Sequence, residues 1–177
     1  SLTVKGEDGS DTVNVDDTSD TSGNTGNLTG TALTGLGMSA GITYGTVEAL
    51  NISLGSGGDT FTVASTHANN TVLNTLGGGD TVHLQTVAGV TVVNTGAGAD
   101  TTNVQTIDAA TTINAGADAD TINVGSKASD VNGNVNAISA SLTVKGEDGS
   151  DTVNVDDTSD TSGNTGNLTA TALTPRW

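Results

Sequence analysis

The chain has 177 residues with 20 Asp and Glu against 4 Lys and Arg, a formal charge of −16, so nucleic acid and acidic membrane surfaces, which both reward basic patches, are not expected partners. Leu, Ile, Val and Phe together number 37, and one Phe, one Tyr and one Trp stand beside 25 Gly, which excludes a conventional core anchored on aromatic side chains. Cysteine is absent, His67 and His83 are the only histidines and no apolar run approaches spanning length, so disulfides, thiolate metal sites, a dedicated zinc site and membrane insertion are not expected either.

The chain starts at Ser1 with no signal-like stretch and reads as an excerpt or processed piece, with any targeting signal outside it. Residues 1–29 recur unchanged at 141–169, and the match resumes at 171–174 after Gly30 is replaced by Ala170. We therefore expect one solenoid unit of about six coils with insertions at 1–140, and at 141–177 the start of a second copy with a divergent C-terminal end. Aspartates that precede Thr-rich segments fall at Asp11, Asp59, Asp80, Asp100, Asp120 and Asp151, and the central intervals of 21, 20 and 20 residues indicate a solenoid. The 48 residues from Asp11 to Asp59 read as two coils plus a short excess, and the 31 from Asp120 to Asp151 as one coil plus an insertion at 126–136.

Two strands per coil emerge from that alignment. Two positions after each Asp stand Val13, Phe61, Val82, Thr102, Ile122 and Val153, and four after stand Val15, Val63, Leu84, Val104, Val124 and Val155, the period-2 pattern of a half-buried strand. Seven positions before stand Val4, Ile52, Leu73, Val93, Ile113 and Val144, the inward position of the preceding strand. The alternate positions form Thr and Asn columns, such as Thr101 with Thr121 and Asn103 with Asn123, which suit a parallel sheet with coils about 4.8 Å apart. Helix is unsupported, because β-branched residues and Gly dominate. The expected class is all-β, a parallel β-solenoid (β-roll or β-helix) of about 20-residue coils.

The turn between the two strands carries the candidate chemistry. It reads Gly55-Ser-Gly57-Gly58-Asp59, then Leu76-Gly77-Gly78-Gly79-Asp80, Gly96-Ala-Gly98-Ala-Asp100 and Gly116-Ala-Asp118-Ala-Asp120, with a variant Gly6-Glu7-Asp8-Gly9-Ser-Asp11 that returns at Gly146, Asp148 and Asp151. Alternating glycines permit positive φ and can turn carbonyls to one side, while the Asp sets a carboxylate at the start of the strand. Stacked aspartates about 5 Å apart repel by about 1 kcal/mol in water and about 3 at an effective dielectric near 20. Carboxylates and carbonyls on flexible turns match Ca²⁺ better than Mg²⁺, so calcium between coils is expected to turn that repulsion into a clamp.

These turns and the strands after them, GSGGDTFTV, GAGADTTNV and GADADTINV, resemble the glycine- and aspartate-rich calcium repeats of the repeats-in-toxin (hemolysin-type) family, with its pattern G-G-x-G-x-D-x-U-x. The resemblance implies a right-handed parallel β-roll that folds on binding Ca²⁺ between coils. It implies carboxylate ligands at Asp59, Asp80, Asp100 and Asp120, and carbonyl ligands at Gly55, Gly57, Gly78, Gly96, Gly98 and Gly116. Asp118 stands where the pattern has Gly, and Asp8, Asp11, Asp148 and Asp151 enter through the variant turn. The opposite turns, ASTHANNT, QTVAGVT and QTIDAAT, lack the motif, so one column of ions is expected. The tandem organisation is similar to that of very large secreted bacterial surface proteins.

The remaining motifs point to little. The loop from Asp16 and Asp17 through Asp20 to Asn24 lacks the bidentate Glu that closes an EF-hand. His67 and His83 read as neither ligands nor catalysts, and four N-glycosylation sequons are what chance supplies in a chain rich in Asn and Thr. With Arg176 as the single Arg and lysines only at 5, 127 and 145, no convergent acid, base and electrophile is visible, so no enzyme is expected. Pro175-Arg176-Trp177 reads as a cap or as a boundary of the piece. The expected function is a calcium-stabilised stalk, spacer or fibre segment, extracellular or at the cell surface, in contact with neighbouring repeats or with itself end to end. Two alternatives are an adhesive module that binds ice or glycan through its Thr and Asn face, and a secretion or scaffold module of a larger enzyme.

Overall fold

The computed structural model describes residues 1–167. Pro175-Arg176-Trp177, read above as a cap or a boundary of the piece, lies outside them. The described residues are all strand and turn, with no helix. Fifteen strands follow in order: β1 (Leu2–Lys5), β2 (Thr12–Asp16), β3 (Thr25–Thr29), β4 (Ala32–Gly35), β5 (Ile42–Gly45), β6 (Ala49–Ser53), β7 (Thr60–Val63), β8 (Asn70–Asn74), β9 (Thr81–Leu84), β10 (Thr91–Asn94), β11 (Thr101–Val104), β12 (Thr111–Asn114), β13 (Thr121–Val124), β14 (Leu142–Lys145) and β15 (Thr152–Val155). They build a nine-stranded sheet in the order β1-β5-β4-β3-β7-β9-β11-β13-β15 and a six-stranded sheet in the order β14-β12-β10-β8-β6-β2. The molecule is a parallel β-solenoid.

From β6 to β13 the chain alternates between sheets, and from β8 on each strand lies parallel to the one two elements earlier. The register is that of the sequence alignment: Phe61 beside Val82, Val82 beside Thr102 and Thr102 beside Ile122. Leu73, Val93 and Ile113 align in the other sheet. These residues form the core with Val63, Leu84 and Val104, all at most 2% exposed. The opposite turn adds to it, since Val87 and Ile107 are fully buried and bridge to each other in a further parallel column. A core this thin is possible because every coil closes its backbone hydrogen bonds on its neighbours, so little apolar area per coil has to offset the ordering of the chain.

Two sequence expectations are corrected. The residues between Asp11 and Asp59 do not form two plain coils: β3, β4 and β5 run as an antiparallel meander within the larger sheet, and it buries Leu28, Leu33 and Tyr44 in the same core. The physical reason is local: the chain turns between β3 and β4 at Gly30-Thr31, and between β4 and β5 where Gly35, Gly37 and Gly41 hold positive φ (84°, 69° and 72°), which L-residues rarely adopt. Nor do residues 1–16 follow the register of the central coils. Val4 pairs with Tyr44 in the larger sheet, and Val15 pairs with Ile52 in the smaller one. Their identical copies do the reverse: β14 joins β12 in the smaller sheet and β15 joins β13 in the larger. An alternating segment fits either sheet, so its neighbours decide which one it joins.

Candidate functional site

The turns that run from the smaller to the larger sheet stack into one column. Leu76 O accepts from Ala97 N–H at 2.8 Å and Gly96 O from Ala117 N–H at 2.8 Å, while Ala97 O accepts from Gly78 N–H at 2.9 Å. Coil spacing forces glycine here: a Cβ on Gly98, at φ +119°, would sit 1.9 Å from Gly78 O, and one on Gly116, at φ +99°, 1.9 Å from Gly96 O. Where the pattern departs from Gly, Leu76 and Asp118 keep positive φ at 70° and 81°. They thus pay the left-handed cost in backbone strain. Among the described residues no protein donor reaches the carbonyls of Gly57, Gly78 and Gly98.

The aspartates that close these turns are buried rather than displayed. Asp59, Asp80, Asp100 and Asp120 are only 2–3% exposed. Each reaches back along the axis with one oxygen: Asp80 Oδ1 accepts from Asp59 N–H at 2.7 Å, Asp100 Oδ1 from Asp80 N–H at 2.7 Å, Asp120 Oδ1 from Asp100 N–H at 2.8 Å and Asp151 Oδ1 from Asp120 N–H at 3.1 Å. The second oxygen, Oδ2, of Asp59, Asp80, Asp100 and Asp120 is buried and has no partner. Burial raises all four pKa values, that of Asp100 to about 6, against the opposing pull of the amide hydrogen bonds and, at Asp80 and Asp100, of the nearby Thr75 and Thr95 hydroxyls; neighbouring carboxylates add to the rise.

The other expected positions are distributed differently. Asp151 extends the column, but Asp11 lies in the opposite one, where its N–H donates to Glu48 Oε2 at 2.7 Å and its own Oδ2 is buried without a partner. Asp8, Asp118 and Asp148 are exposed, and Asp148 enters the turn ladder through its N–H to Gly116 O at 2.8 Å. Gly55 and Gly57 meet the loop after β2, with ideal Cβ positions 2.0 Å from Asp20 O and 2.3 Å from Ser22 C. Among the described residues no three acidic or histidine side chains converge as a metal centre.

Sequence reasoning missed the residue that ends the column. Asn24 N–H donates to Asp59 Oδ1 at 2.7 Å, and Asn24 O accepts from Thr60 N–H at 2.8 Å, the two bonds that each Asp makes to the next coil. Asn24 is therefore a neutral member of the ladder, and its Nδ2 donates to Asp20 Oδ2 at 2.9 Å. The signal was present: Asn24-Thr25-Gly26-Asn27-Leu28 has the layout of Asp100-Thr101-Thr102-Asn103-Val104. Asp16 and Asp20 cap their own turns, accepting from Thr18 N–H at 3.0 Å and Ser22 N–H at 2.8 Å; the Thr18 hydroxyl and then its amide lower the Asp16 pKa, and the Ser22 amide with the Asn24 side chain lowers that of Asp20.

The outward columns are self-paired. Asn114 Nδ2 donates to Asn94 Oδ1 at 2.6 Å and Asn94 Nδ2 to Asn74 Oδ1 at 2.7 Å; on the other face Asn154, Asn123 and Asn103 form the same chain at 2.9 Å per step. His83 continues it, 3.3 Å from Asn103 Nδ2. His67 stacks edge-on to Tyr44 at 5.8 Å, in the opposite turn.

Comparison with known proteins finds no matching family model, curated protein or solved structure. Among the described residues no helix is long and apolar enough to cross a membrane. The reading of function therefore rests on the aspartate column.

Proposed function

We propose that the chain is a structural spacer segment of a tandem array, in a secreted or cell-surface protein, whose wound form at neutral pH depends on calcium to neutralise the aspartate column. The observation that carries this reading is the run of four buried carboxylates, one per coil, each with one oxygen on a backbone amide and the other without a partner. Ionised groups about 5 Å apart along such a column repel by roughly 3 kcal/mol per neighbouring pair at an effective dielectric near 20. Buried charge also needs compensation. The donor chemistry fits a hard cation: carboxylate Oδ2 atoms of Asp59, Asp80, Asp100 and Asp120, with the unpaired carbonyls of Gly57, Gly78 and Gly98 on the same turns. Each coil offers one column carboxylate, so a shared shell would draw on main-chain oxygens and on two adjacent coils. Calcium, when bound, supplies the positive charge that makes the ionised column compatible with close stacking.

Linkage then gives the device a use. Where free calcium is low the acidic chain stays unwound and passable through a secretion apparatus, and where calcium is plentiful its binding free energy becomes folding free energy. The adhesive alternative draws less support, because the Asn amides of both faces are spent on one another. The test is far-ultraviolet circular dichroism at pH 7.5 of chelated protein titrated with calcium, with magnesium as control. A cooperative gain of β signal with calcium alone is expected. A β spectrum already complete under chelator at pH 7.5 sinks the calcium reading and leaves a spacer held by its ladders; folding under chelator only below pH 6 assigns protons the same neutralising role.

A further inference from the structure

The duplicated strands use opposite edges in their two copies. Successive residues of a strand point their N–H and C=O groups to opposite sides. In β1 the even-numbered edge is paired: Leu2 N–H donates to Gly41 O at 3.2 Å and Gly6 N–H to Gly45 O at 3.1 Å. In the identical β14 the odd-numbered edge is paired, with Ser141 O accepting from Thr111 N–H and Lys145 O from Ala115 N–H, both at 2.9 Å. β2 pairs its odd edge, since Asp11 O accepts from Ala49 N–H at 3.1 Å and Asp17 N–H donates to Ser53 O at 2.9 Å. β15 pairs the even one, with Thr152 N–H donating to Asp120 O at 2.8 Å and Asp156 N–H to Val124 O at 2.9 Å. The same faces point inward in both copies: Val4, Val13 and Val144 pack on the core, and Val153 of the exposed end strand stands in register with buried Ile122. Each copy leaves free the edge that the other uses.

We infer that in an array of such units the repeated segment is a junction, paired on both edges at once, and that successive units are turned by half a revolution about the solenoid axis. The inference rests on the spacer reading for the existence of further units. The partner is the next copy of this unit: β14 lies between β12 and the next unit's counterpart of β5, and β15 lies between β13 and the counterpart of β6. The strand that opens the first unit belongs to the larger sheet and its copy belongs to the smaller one, so the sheets exchange roles at every junction.

That exchange solves a geometric problem. Strands β1–β13 place eight members in one sheet and five in the other. Without exchange one sheet would outgrow its partner by about 14 Å per unit at 4.8 Å per strand. With exchange the two sheets are equal over every pair of units and the rod stays straight. The aspartate column consequently moves to the opposite side of the rod from one unit to the next.

The test uses paired cysteines in a chain that has none of its own. In the 177-residue protein, Thr3→Cys with Thr43→Cys and Asn123→Cys with Asn154→Cys occupy aligned positions of neighbouring strands, within disulfide reach at about 5 Å between Cα atoms. Both pairs are expected to oxidise, read as loss of four hydrogens by intact mass and located by peptide mapping. A two-unit chain is then made by joining residues 30–140 after position 169. There Thr143→Cys is paired with the second unit's Thr43 counterpart, together with Asn123→Cys and Asn154→Cys. Both disulfides in one folded molecule are the expected result, and formation of only one of the two overturns the junction. If that variant misfolds, Thr112→Cys with Thr143→Cys and Asn154→Cys with the second unit's Asn51 counterpart probe the same two edges. Small-angle scattering separates this inference from the reading beneath it: a two-unit particle no longer than the single chain defeats the spacer, whereas an elongated particle with one disulfide defeats only the junction.

Discussion

Replacing Asp100 by Asn isolates the charge of the aspartate column from its hydrogen bonds. The amide oxygen can still accept from Asp80 N–H, now bonded to Asp100 Oδ1 at 2.7 Å, while the negative charge is lost. In the folded protein the Asp100 pKa is raised from 3.8 to about 6 by burial, so ionising it at neutral pH costs on the order of 3 kcal/mol of stability. Against that relief stands a new buried –NH₂ where Oδ2 has no partner, worth about 1–3 kcal/mol. The calcium-free D100N protein at pH 7.5 is therefore expected to be as stable as the parent or up to about 2 kcal/mol more stable. Asp100→Ala removes the same charge but strands the Asp80 amide at a cost of about 1–3 kcal/mol, so it is expected to gain no more than D100N and at most about 2 kcal/mol over the parent. Circular dichroism under chelator measures both as the concentration of a stabilising osmolyte that folds half of each protein, since the parent is expected to be unwound without calcium at this pH. With calcium added the order is expected to reverse, because on the proposed reading the parent gains more than D100N. Two results refute the reasoning: a D100N loss above about 2 kcal/mol under chelator, which would mean that the charge carries no penalty, and an equal calcium gain in both proteins, which would place Asp100 outside the ion's reach.

The pH dependence carries the same sign. Carboxyls whose folded pKa exceeds the unfolded 3.8 favour the folded state most when protonated, so the calcium-free protein should lose stability as pH rises from 3.8 through about 6. The loop carboxylates Asp16 and Asp20, lowered by their turn hydrogen bonds, act oppositely and lose their contribution as pH falls below 3.8; melting temperatures between pH 3 and 8 under chelator check both limbs. Gly98→Ala puts a Cβ 1.9 Å from Gly78 O at φ +119° and should cost at least about 2 kcal/mol, whereas Gly163→Ala meets no atom within 4 Å and should be neutral, both read by urea unfolding in the presence of calcium. Asn103→Ala removes the acceptor of Asn123 Nδ2 at a position 1% exposed, and a loss of about 1–3 kcal/mol is expected by thermal or urea unfolding.

The central coils were legible because their period is strict and the inward positions recur as apolar side chains, with Thr102 as the exception. Phe61, Val82, Thr102 and Ile122 aligned by counting alone, and the register agrees. The meander was not legible, because Gly35 and Gly41 reverse the chain at positions that a 20-residue count passes over. The aspartates were found, but their orientation was not: whether a carboxylate faces solvent or reaches back to an amide depends on the coil beneath it, as Asp80 Oδ1 does toward Asp59 N–H. Asn24 escaped for a related reason. It lacks the charge by which the column was recognised, yet it makes the same two backbone bonds.

The two copies of the segment at 1–16 and 141–156 separate what local sequence decides from what neighbours decide. Glu7 and Glu147 hold φ at 65° and 69°, and Gly9 and Gly149 both hold 131°, although the first turn leads from the larger sheet to the smaller and the second the other way. The turn conformation is thus written in Gly-Glu-Asp-Gly-Ser-Asp itself. The column in which the turn stands is not, since Asp11 meets Glu48 while Asp151 meets Asp120. A carboxylate that is met by an amide on one side and has no partner on the other acquires its cost only from stacking. The aspartate column is therefore a property of wound coils and is absent from the unwound chain. A cation that compensates it would bind the folded state alone, which is the condition for ligand binding to drive folding.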